Sequence, residues 1–275
     1  MVSHLAIAQT SLRGAQTRGV YYGDEFAYER SLGAICVFTA QRGVFLSSGT
    51  NVAGWNCRFQ GLASSGINDA IPPLFYADAT QDGFSTNTHA IISLPNVATN
   101  YTLCIDSIGT ALSGRKPFTV ISVQNPLNNG PRALWGLGWS SSSNSNGSRI
   151  DLRPSSTTAT LSQLGWGVDT NSTVITFTRS GANTNRFFSN TVSFDGTSLI
   201  LYADKLASSA ANTGTGNWTF NQFTIGCSRQ TNGNHSAATR FQGGVNYICV
   251  FTNALSGTTI TNALDFINSN RIRWF

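Results

Sequence analysis

Several short segments of the chain alternate between apolar and polar residues, which is the pattern of half-buried β-strands. The segments PFTVISVQN (117–125), STVITFTRSG (172–181) and FTIGCS (223–228) are rich in β-branched and aromatic residues, and such residues favour strands. The dipeptide Asp195-Gly196 lies between two apolar runs and is a strong β-hairpin signal. Loops rich in Ser, Asn and Gly separate these segments, so the pattern predicts an antiparallel sandwich or jelly roll.

The segment VNYICVF (245–251) is apolar on both sides. Its residues alternate between two sets, Ile248 and Val250 on one side and Tyr247, Cys249 and Phe251 on the other. A strand of this kind lies inside a sandwich or beneath a covering segment.

A helical pattern follows this strand. Ser256 is a competent N-cap, and after it four apolar residues recur at helical spacing, namely Ile260, Ala263, Leu264 and Ile267. We therefore expect a short amphipathic helix over residues 257–268 that packs on the rim of the sandwich.

The closing stretch FQGGVNYICVFTNALSGTTI (241–260) resembles the closing signature of concanavalin A-like, laminin-G-like domains. The matching positions are Phe241, Gly243, Val245, Ile248, Val250, Phe251, Ala254, Leu255, Ser256 and Ile260. FTIGCS and RKPFTVISVQN resemble two other strands of that family, and LILYADKLAS resembles its hairpin, with Lys205 where Gly is usual. The resemblance covers residues 70–268 and implies an all-β, two-sheet antiparallel sandwich with a short C-terminal helix.

The beginning of the chain has no counterpart in this resemblance. Residues 1–35 contain too few periodic apolar positions to form a domain. We expect an N-terminal arm and lead-in segment over residues 1–50 and the sandwich domain over residues 51–275.

Charge and cysteine content narrow the classes of partner. The formal net charge is +5, but the basic residues are spread thinly, whereas nucleic-acid-binding proteins cluster them; we expect no nucleic-acid partner. No apolar stretch reaches the length of a membrane helix, so no membrane insertion is expected.

The cysteines are odd in number and show no Cys-x-x-Cys spacing: Cys36, Cys57, Cys104, Cys227 and Cys249. Buried, reduced thiols are the prediction, with disulfides or zinc as the alternatives.

Catalytic residues are not evident. Glucanases with this kind of fold place Glu-x-Asp-x-x-Glu on one strand, and glycoside hydrolysis needs two close carboxyl groups. The chain has only two glutamates, Glu25 and Glu29, and no strand has a suitably spaced pair of carboxylates. Its three histidines are isolated. We expect no catalytic site, no metal and no cofactor, although Asp195 and the Asp169–Asn171 turn are candidates for calcium, which some relatives of this fold carry.

A glycan site is predicted around LWGLGWSSSSNSNGSR (134–149), because sugars bind to aromatic platforms flanked by amides and hydroxyls. The candidates are Trp135, Trp139, Asn144, Asn146 and Arg149, with Trp166 and Trp218 as further aromatics. The alternative is that these tryptophans belong to the core.

A structural role is the third possibility. The missing export signal, the low-charge surface and the unmatched arm resemble virion surface proteins of bacterial viruses, such as head decoration proteins, spikes and fibres. The resemblance predicts a non-enzymatic virion protein assembled in the host cytoplasm, with other virion proteins, copies of itself and surface glycans as partners. A lectin module for attachment is the alternative, and a glycan-cleaving enzyme is less favoured.

Assembly contacts are expected at both ends, from Arg13, Arg18, Tyr21, Tyr22, Phe26, Trp274 and Phe275, with packing on the chain's own sandwich as the alternative for the tail aromatics.

Overall fold

The computed structural model describes residues 26–41, 43–57, 61–65, 73–77, 91–94, 103–127, 132–138, 149–155, 158–164, 172–178, 187–212, 218–227 and 240–271. The helices in these ranges are α1 (Ala27–Ser31), α2 (Asp106–Leu112) and α3 (Gly257–Asn270). The strands are β1 (Ala34–Thr39), β2 (Val44–Ser48), β3 (Asn51–Cys57), β4 (Gly61–Ser65), β5 (Leu74–Tyr76), β6 (Ile91–Leu94), β7 (Leu103–Ile105), β8 (Phe118–Pro126), β9 (Trp135–Gly138), β10 (Arg149–Pro154), β11 (Thr158–Leu164), β12 (Ser172–Thr178), β13 (Phe188–Phe194), β14 (Ser198–Ala203), β15 (Leu206–Asn212), β16 (Gln222–Ile225) and β17 (Gly243–Phe251). None of these described helices combines the length and the apolar character that a membrane span requires.

The strands form two antiparallel sheets that pack face to face. The front sheet runs β1–β17–β8–β13–β14–β15, and β6 continues the line of β1 along β17. The back sheet runs β2–β3–β4–β7–β16–β9–β10–β11–β12. Strand β5 pairs with both β3 and β6 and so joins the two sheets at one edge. The predicted two-sheet sandwich is confirmed.

The main core lies between the sheets and is rich in aromatic side chains. Phe38 packs against Trp55, and Trp55 Nε1 donates to the Thr39 carbonyl oxygen at 3.0 Å. At another point of this core, Phe194 contacts Trp218, with ring centroids 4.2 Å apart. These large buried rings account for much of the apolar area that stabilises the fold.

A second cluster covers the outer face of the front sheet. Tyr247, Cys249 and Phe251 of β17 pack there, while Ile248 and Val250 point into the main core. This division confirms that β17 is apolar on both faces. The buried side chains of α3 belong to the same outer cluster, so the helix lies over the face of the sheet and not at its rim. Its start is capped by Ser256, whose Oγ accepts from Thr259 N.

The sandwich begins before residue 51. Strand β1 pairs along β17 in the front sheet, and β2 pairs with β3 in the back sheet. Both strands lie within the range that the sequence assigned to the arm and lead-in segment. The pairing of β1 joins residues that are more than 200 positions apart, and local sequence patterns do not reveal such a contact.

The two predicted hairpins in the front sheet are present. Strands β13 and β14 pair around Asp195-Gly196, and Asp195 Oδ1 accepts from the backbone N–H groups of Thr197 and Ser198 at 2.8 Å. These bonds hold the pKa of Asp195 below its usual value. Between β14 and β15, Asp204 adopts a φ of 54°, a conformation that Asp tolerates. Lys205 pairs with Asp265 of α3.

Helix α2 approaches β16 closely at Gly109. A Cβ atom at this position would lie 2.2 Å from the backbone nitrogen of Gln222. We expect Gly109→Ala to destabilise the protein by about 1–3 kcal/mol, because the backbone of β16 must shift to make room. The measurement is urea unfolding followed by circular dichroism.

Gly257 provides the matched control. It is the first residue of α3, and the nearest atom to its added Cβ would be Tyr202 Oη at 3.7 Å, an ordinary contact. Gly257→Ala should leave stability within about 0.5 kcal/mol of the wild type. Equal effects of the two substitutions would contradict the close packing of α2 on β16.

The prediction of five reduced cysteines is wrong for two of them. Cys36 of β1 and Cys57 of β3 form a disulfide, with their Cα atoms 5.5 Å apart. Both side chains lie in the core between the sheets, so the bond joins the front sheet to the back sheet. Apolar flanking residues are equally typical of a buried thiol and of a buried disulfide, and for this reason the sequence pattern does not separate the two. Cys104, Cys227 and Cys249 are not in disulfides, and burial raises the pKa of the Cys249 thiol.

Thiol counting tests this correction. In denaturant without reductant, a thiol reagent should modify Cys104, Cys227 and Cys249 only, since the other two sulfurs are bonded to each other. Prior reduction should raise the number of modified residues to five. Mass spectrometry of the intact protein and of its peptides provides the readout. Modification of Cys36 and Cys57 without reduction would show that the disulfide is absent.

Candidate functional site

The outer faces of the two sheets differ in how they are covered. Helix α3 lies on the front sheet, whereas on the back sheet the outward positions become exposed toward β12. Side chains alternate between the two sides of each strand. Ile150 and Leu152 of β10 and Ile175 of β12 point into the core, so the positions that flank them in the same strand point outward. Val174, which points outward from β12, is 61% exposed. Among the described residues, exposure on the far side of the back sheet therefore increases from β10 to β12.

A row of three charged side chains occupies the outward positions of β10. Asp151 lies between Arg149 and Arg153 in this row and is fully buried. Arg153 donates to both carboxylate oxygens, from Nε to Oδ1 at 2.7 Å and from Nη2 to Oδ2 at 3.1 Å. Arg149 Nε lies 3.1 Å from Oδ2. One carboxylate is thus shared by two guanidinium groups.

The contact of Arg149 with Asp151 is less complete than that of Arg153. The Nε of Arg149 is buried and makes no hydrogen bond to any described residue, although it lies within ion-pair distance of the carboxylate. Burial lowers the pKa of Arg149; Asp151 opposes this shift and Arg153 adds to it. The guanidinium of Arg149 is therefore poorly solvated and only partly compensated by its neighbour.

Hydroxyl groups and an apolar side chain continue the surface beyond the charges. The register places Arg153 beside Thr160 of β11, and Thr160 beside Thr176 of β12. Thr160 is half-buried, while Val174 and Thr176 are exposed. We call this surface the β10–β12 face, and its members are Arg149, Asp151, Arg153, Thr160, Val174, Thr176 and Thr178. It combines two cations, several hydroxyls and one exposed apolar side chain.

The predicted glycan residues fall in three places. Arg149 belongs to the β10–β12 face. Trp135 is fully buried, with its ring 5.8 Å from that of Phe223, and Trp218 is buried against Phe194. For these two tryptophans the structure favours the core role that the sequence left as the alternative. Trp139, Asn144, Asn146 and Trp166 lie outside the described residues.

The predicted assembly residues are divided in a similar way. Phe26 is buried in the outer cluster of the chain's own front sheet, and the guanidinium carbon of Arg271 lies 4.8 Å from the centre of its ring. Arg13, Arg18, Tyr21, Tyr22, Trp274 and Phe275 lie outside the described residues. Phe26 therefore packs within the fold, while an assembly role for the other six residues stays a prediction.

The sequence motifs pointed to Arg149 but not to Asp151 or Arg153 as candidate site residues. The signal that could have found them is the alternation in RIDLRP (149–154), where three charges share one side of a strand and apolar residues share the other. The pattern is short, and its meaning depends on which side of the sheet is covered, which the sequence did not reveal.

The described carboxylates all have structural partners. Glu29 pairs with Arg271, Asp151 with two arginines, and Asp265 with Lys205. Asp106 accepts from Gln222, Asp195 from its own turn and Asp204 from Ser189. Within the described ranges there is also no group of three or more His, Cys, Asp or Glu side chains that could hold a metal ion. The Asp169–Asn171 turn lies outside those ranges.

The backbone is similar to those of several solved structures. The botulinum neurotoxin serotype G binding domain is 14% identical and matches 86% of this chain and 51% of its own, with a TM-score of 0.55. Trypanosoma rangeli sialidase is 11% identical over 86% of this chain and 33% of its own, with a TM-score of 0.52. A mutant NanB sialidase from Streptococcus pneumoniae is 14% identical over 62% of this chain and 27% of its own, with a TM-score of 0.51. The likeness is one of fold.

The comparisons agree with the two-sheet β-sandwich architecture described above. The chain spans about half the length of the neurotoxin domain and a third or less of the two sialidases. No protein-family model matches the sequence, and comparison with curated proteins finds no match.

Proposed function

We propose that this chain is a non-enzymatic, glycan-binding module of the lectin type, and that it binds its ligand on the β10–β12 face. The observation that carries the proposal is the composition of that face: two arginines, a row of threonines and an exposed Val174 on a sheet surface that no described helix covers. The similar structures are named for receptor binding and as sialidases, which agrees with this proposal without carrying it.

The chemistry of the face suits a sugar. Hydroxyl groups such as those of Thr160 and Thr176 can both donate and accept hydrogen bonds, and sugar hydroxyls need both. An exposed apolar side chain, here Val174, can cover the apolar side of a sugar ring. Rigid strands hold these groups at fixed spacing, so little conformational entropy is lost when a ligand binds.

The absence of catalysis is part of the proposal. Glycoside hydrolysis requires one carboxyl group as acid and another as nucleophile or base. In the described residues each carboxylate is engaged with a partner of the fold, and Asp151, which lies on the proposed face, is buried and shared by two arginines. A carboxylate that is buried and held by two arginines is not accessible to a substrate.

The lectin alternative is better supported than the virion role. The similar structures named above are a toxin binding domain and two sialidases, and none of them is named as a virion protein. The Cys36–Cys57 disulfide is typical of oxidising environments, which include both cell and virion surfaces, so it does not separate the two roles. Virion partners stay a prediction from composition.

Glycan binding by the purified chain is the expected result of an array experiment, followed by isothermal titration of the best ligand. Replacing Val174 with aspartate should weaken that binding at least about tenfold, or about 1.4 kcal/mol, because it puts a charge where the ring should pack. Val174 is already exposed, so stability should change little.

Leu206→Asp is the matched control. Leu206 is 64% exposed on β15 of the front sheet, outside the β10–β12 face, and its replacement adds the same charge. The proposal requires unchanged affinity in this variant. If the chain binds no glycan, or if both variants bind as the wild type does, the proposed function is wrong.

A further inference from the structure

We infer that the ligand of the β10–β12 face is an acidic glycan, whose carboxylate or sulfate group is held by Arg149 and Arg153. This inference rests on the proposed function and specifies its ligand class. It follows from the charges, contacts and exposure of β10.

The balance of charge on β10 favours an anionic ligand. Asp151 supplies one negative charge to a row that contains two guanidinium groups, and guanidinium groups are charged in proteins. The row therefore keeps a net charge of about +1 on a surface whose other described side chains are threonines and a valine. An anion from a ligand would neutralise it.

The arginines of this row are more accessible than the carboxylate between them. The Asp151 side chain is 0% exposed, whereas Arg149 and Arg153 are 14% and 19% exposed. A ligand that approaches this strand meets the arginine side chains and not the carboxylate. The accessible part of the row is thus cationic, and the buried carboxylate serves to orient it.

The two arginines differ in how firmly Asp151 holds them. Arg153 is fixed by two hydrogen bonds to Asp151, so its remaining N–H groups are held in one orientation. Arg149 Nε is buried and makes no hydrogen bond within the described part of the chain, so the charge of Arg149 is less fully compensated than that of Arg153. An anion placed against the accessible part of the Arg149 side chain would supply the missing compensation. The lowered pKa of Arg149, caused chiefly by burial, agrees with a cation that gains from an added negative charge.

The geometry of guanidinium favours carboxylate and sulfate. Its N–H groups form a planar fork that matches two oxygens of such an anion, and these charge-assisted bonds are about twice as strong as neutral ones. Two forks on one strand, at positions i and i+4, lie about 13 Å apart along the backbone. Both arginine side chains reach toward the position between them, because both contact Asp151.

The test compares matched ligands on the intact chain. The probes are sialyllactose, lactose that carries a sulfate ester, and plain lactose, supplemented by an array of neutral, carboxylated and sulfated glycans. We expect at least one acidic class to bind ten or more times more tightly than its neutral counterpart. The preferred class then distinguishes carboxylate from sulfate.

Arg149→Gln is the decisive variant. Arg153 keeps its two bonds to Asp151 in this variant, so the strand should stay folded, as circular dichroism can verify. Affinity for the acidic ligand should fall at least tenfold, while affinity for any neutral glycan that binds should be unchanged. Arg149→Lys keeps the charge without the fork of N–H groups. Its affinity for the acidic ligand should lie between that of the wild type and that of Arg149→Gln.

Lys116→Gln controls for the loss of one positive charge. Lys116 is exposed between α2 and β8, outside the β10–β12 face, and its replacement should not alter affinity. Equal binding of acidic and neutral glycans would overturn the inference and leave the proposed function intact. Binding of no glycan at all would overturn both. If single-stranded DNA binds as tightly as the acidic glycan, attraction to polyanions is sufficient and the inference is again wrong.

Discussion

Asp151→Asn is expected to destabilise the protein by about 3 kcal/mol, the lower end of the range for breaking a buried ion pair. The carboxylate is fully buried between two guanidinium groups, and asparagine would leave both cations close together without a counter-charge. Repulsion between Arg149 and Arg153 then adds to the lost bonds. Chemical denaturation at neutral pH measures the change in the free energy of unfolding.

A surface pair provides the comparison for this prediction. Lys205 and Asp265 form an ion pair in which both side chains are about half exposed, and pairs of this kind contribute about 0–1 kcal/mol. Asp265→Asn should therefore have a small effect. If the two asparagine variants lose the same stability, the charged row on β10 does not have the role that its geometry indicates.

The second large effect is expected at a contact that we call the terminal clamp, formed by Phe26, Glu29, Tyr247, Phe266 and Arg271. Arg271 donates to both oxygens of Glu29, at 2.7 and 2.8 Å, and Tyr247 Oη donates to Glu29 Oε1 at 3.1 Å. The Arg271 guanidinium also lies over the rings of Phe26 and Phe266. The clamp joins α1 to the end of α3.

Removing either charge of the clamp should lower the free energy of unfolding by about 3–5 kcal/mol, because the other charge stays buried without its partner. We expect this for Glu29→Ala and for Arg271→Ala. A double-mutant cycle should give a coupling energy of about 2 kcal/mol or more, near the upper end of the usual range. Hydrogen exchange should accelerate in α1 and in the last turn of α3 together.

Truncation gives an independent check of the clamp. Deleting residues 1–20 leaves Phe26 and Glu29 in place, and the thermal transition should be nearly unchanged. Deleting residues 1–31 removes both and should lower the melting temperature by several degrees or more. Equal transitions for the two truncations would contradict the clamp.

The fold class was accessible from sequence because its signals are local. Alternation in β8 and β12, the turn at Asp195-Gly196 and the helical spacing after Ser256 are each contained within about ten residues. Each of these elements appears in the structure where the pattern placed it. The apolar character of both sides of β17 correctly indicated a covering segment.

Long-range contacts were the part that sequence could not supply. The pairing of β1 with β17 and the contact of Glu29 with Arg271 join the two ends of the chain. The bond between Cys36 and Cys57 likewise depends on how two sheets face each other. Neither periodicity nor residue spacing encodes these contacts, since they arise only when the sheets pack.

The candidate site was only partly accessible for the same reason. Arg149 was selected as a polar residue at the end of a loop, but its partners Asp151 and Arg153 were not. Trp135 was selected as an aromatic platform and is in the core. In both cases the deciding fact is which side of the strand is covered, and this is a property of the packed sandwich.

Mapping of the bound glycan on the chain tests the central claim most directly. The isotope-labelled protein is titrated with the tightest ligand from the array, and backbone amide chemical shifts are followed by nuclear magnetic resonance. The account predicts saturable shifts concentrated in residues 149–154, 158–164 and 172–178, with the largest changes around Arg149 and Arg153. Shifts concentrated on α3 and the front sheet, or no saturable shift with any glycan, would contradict it.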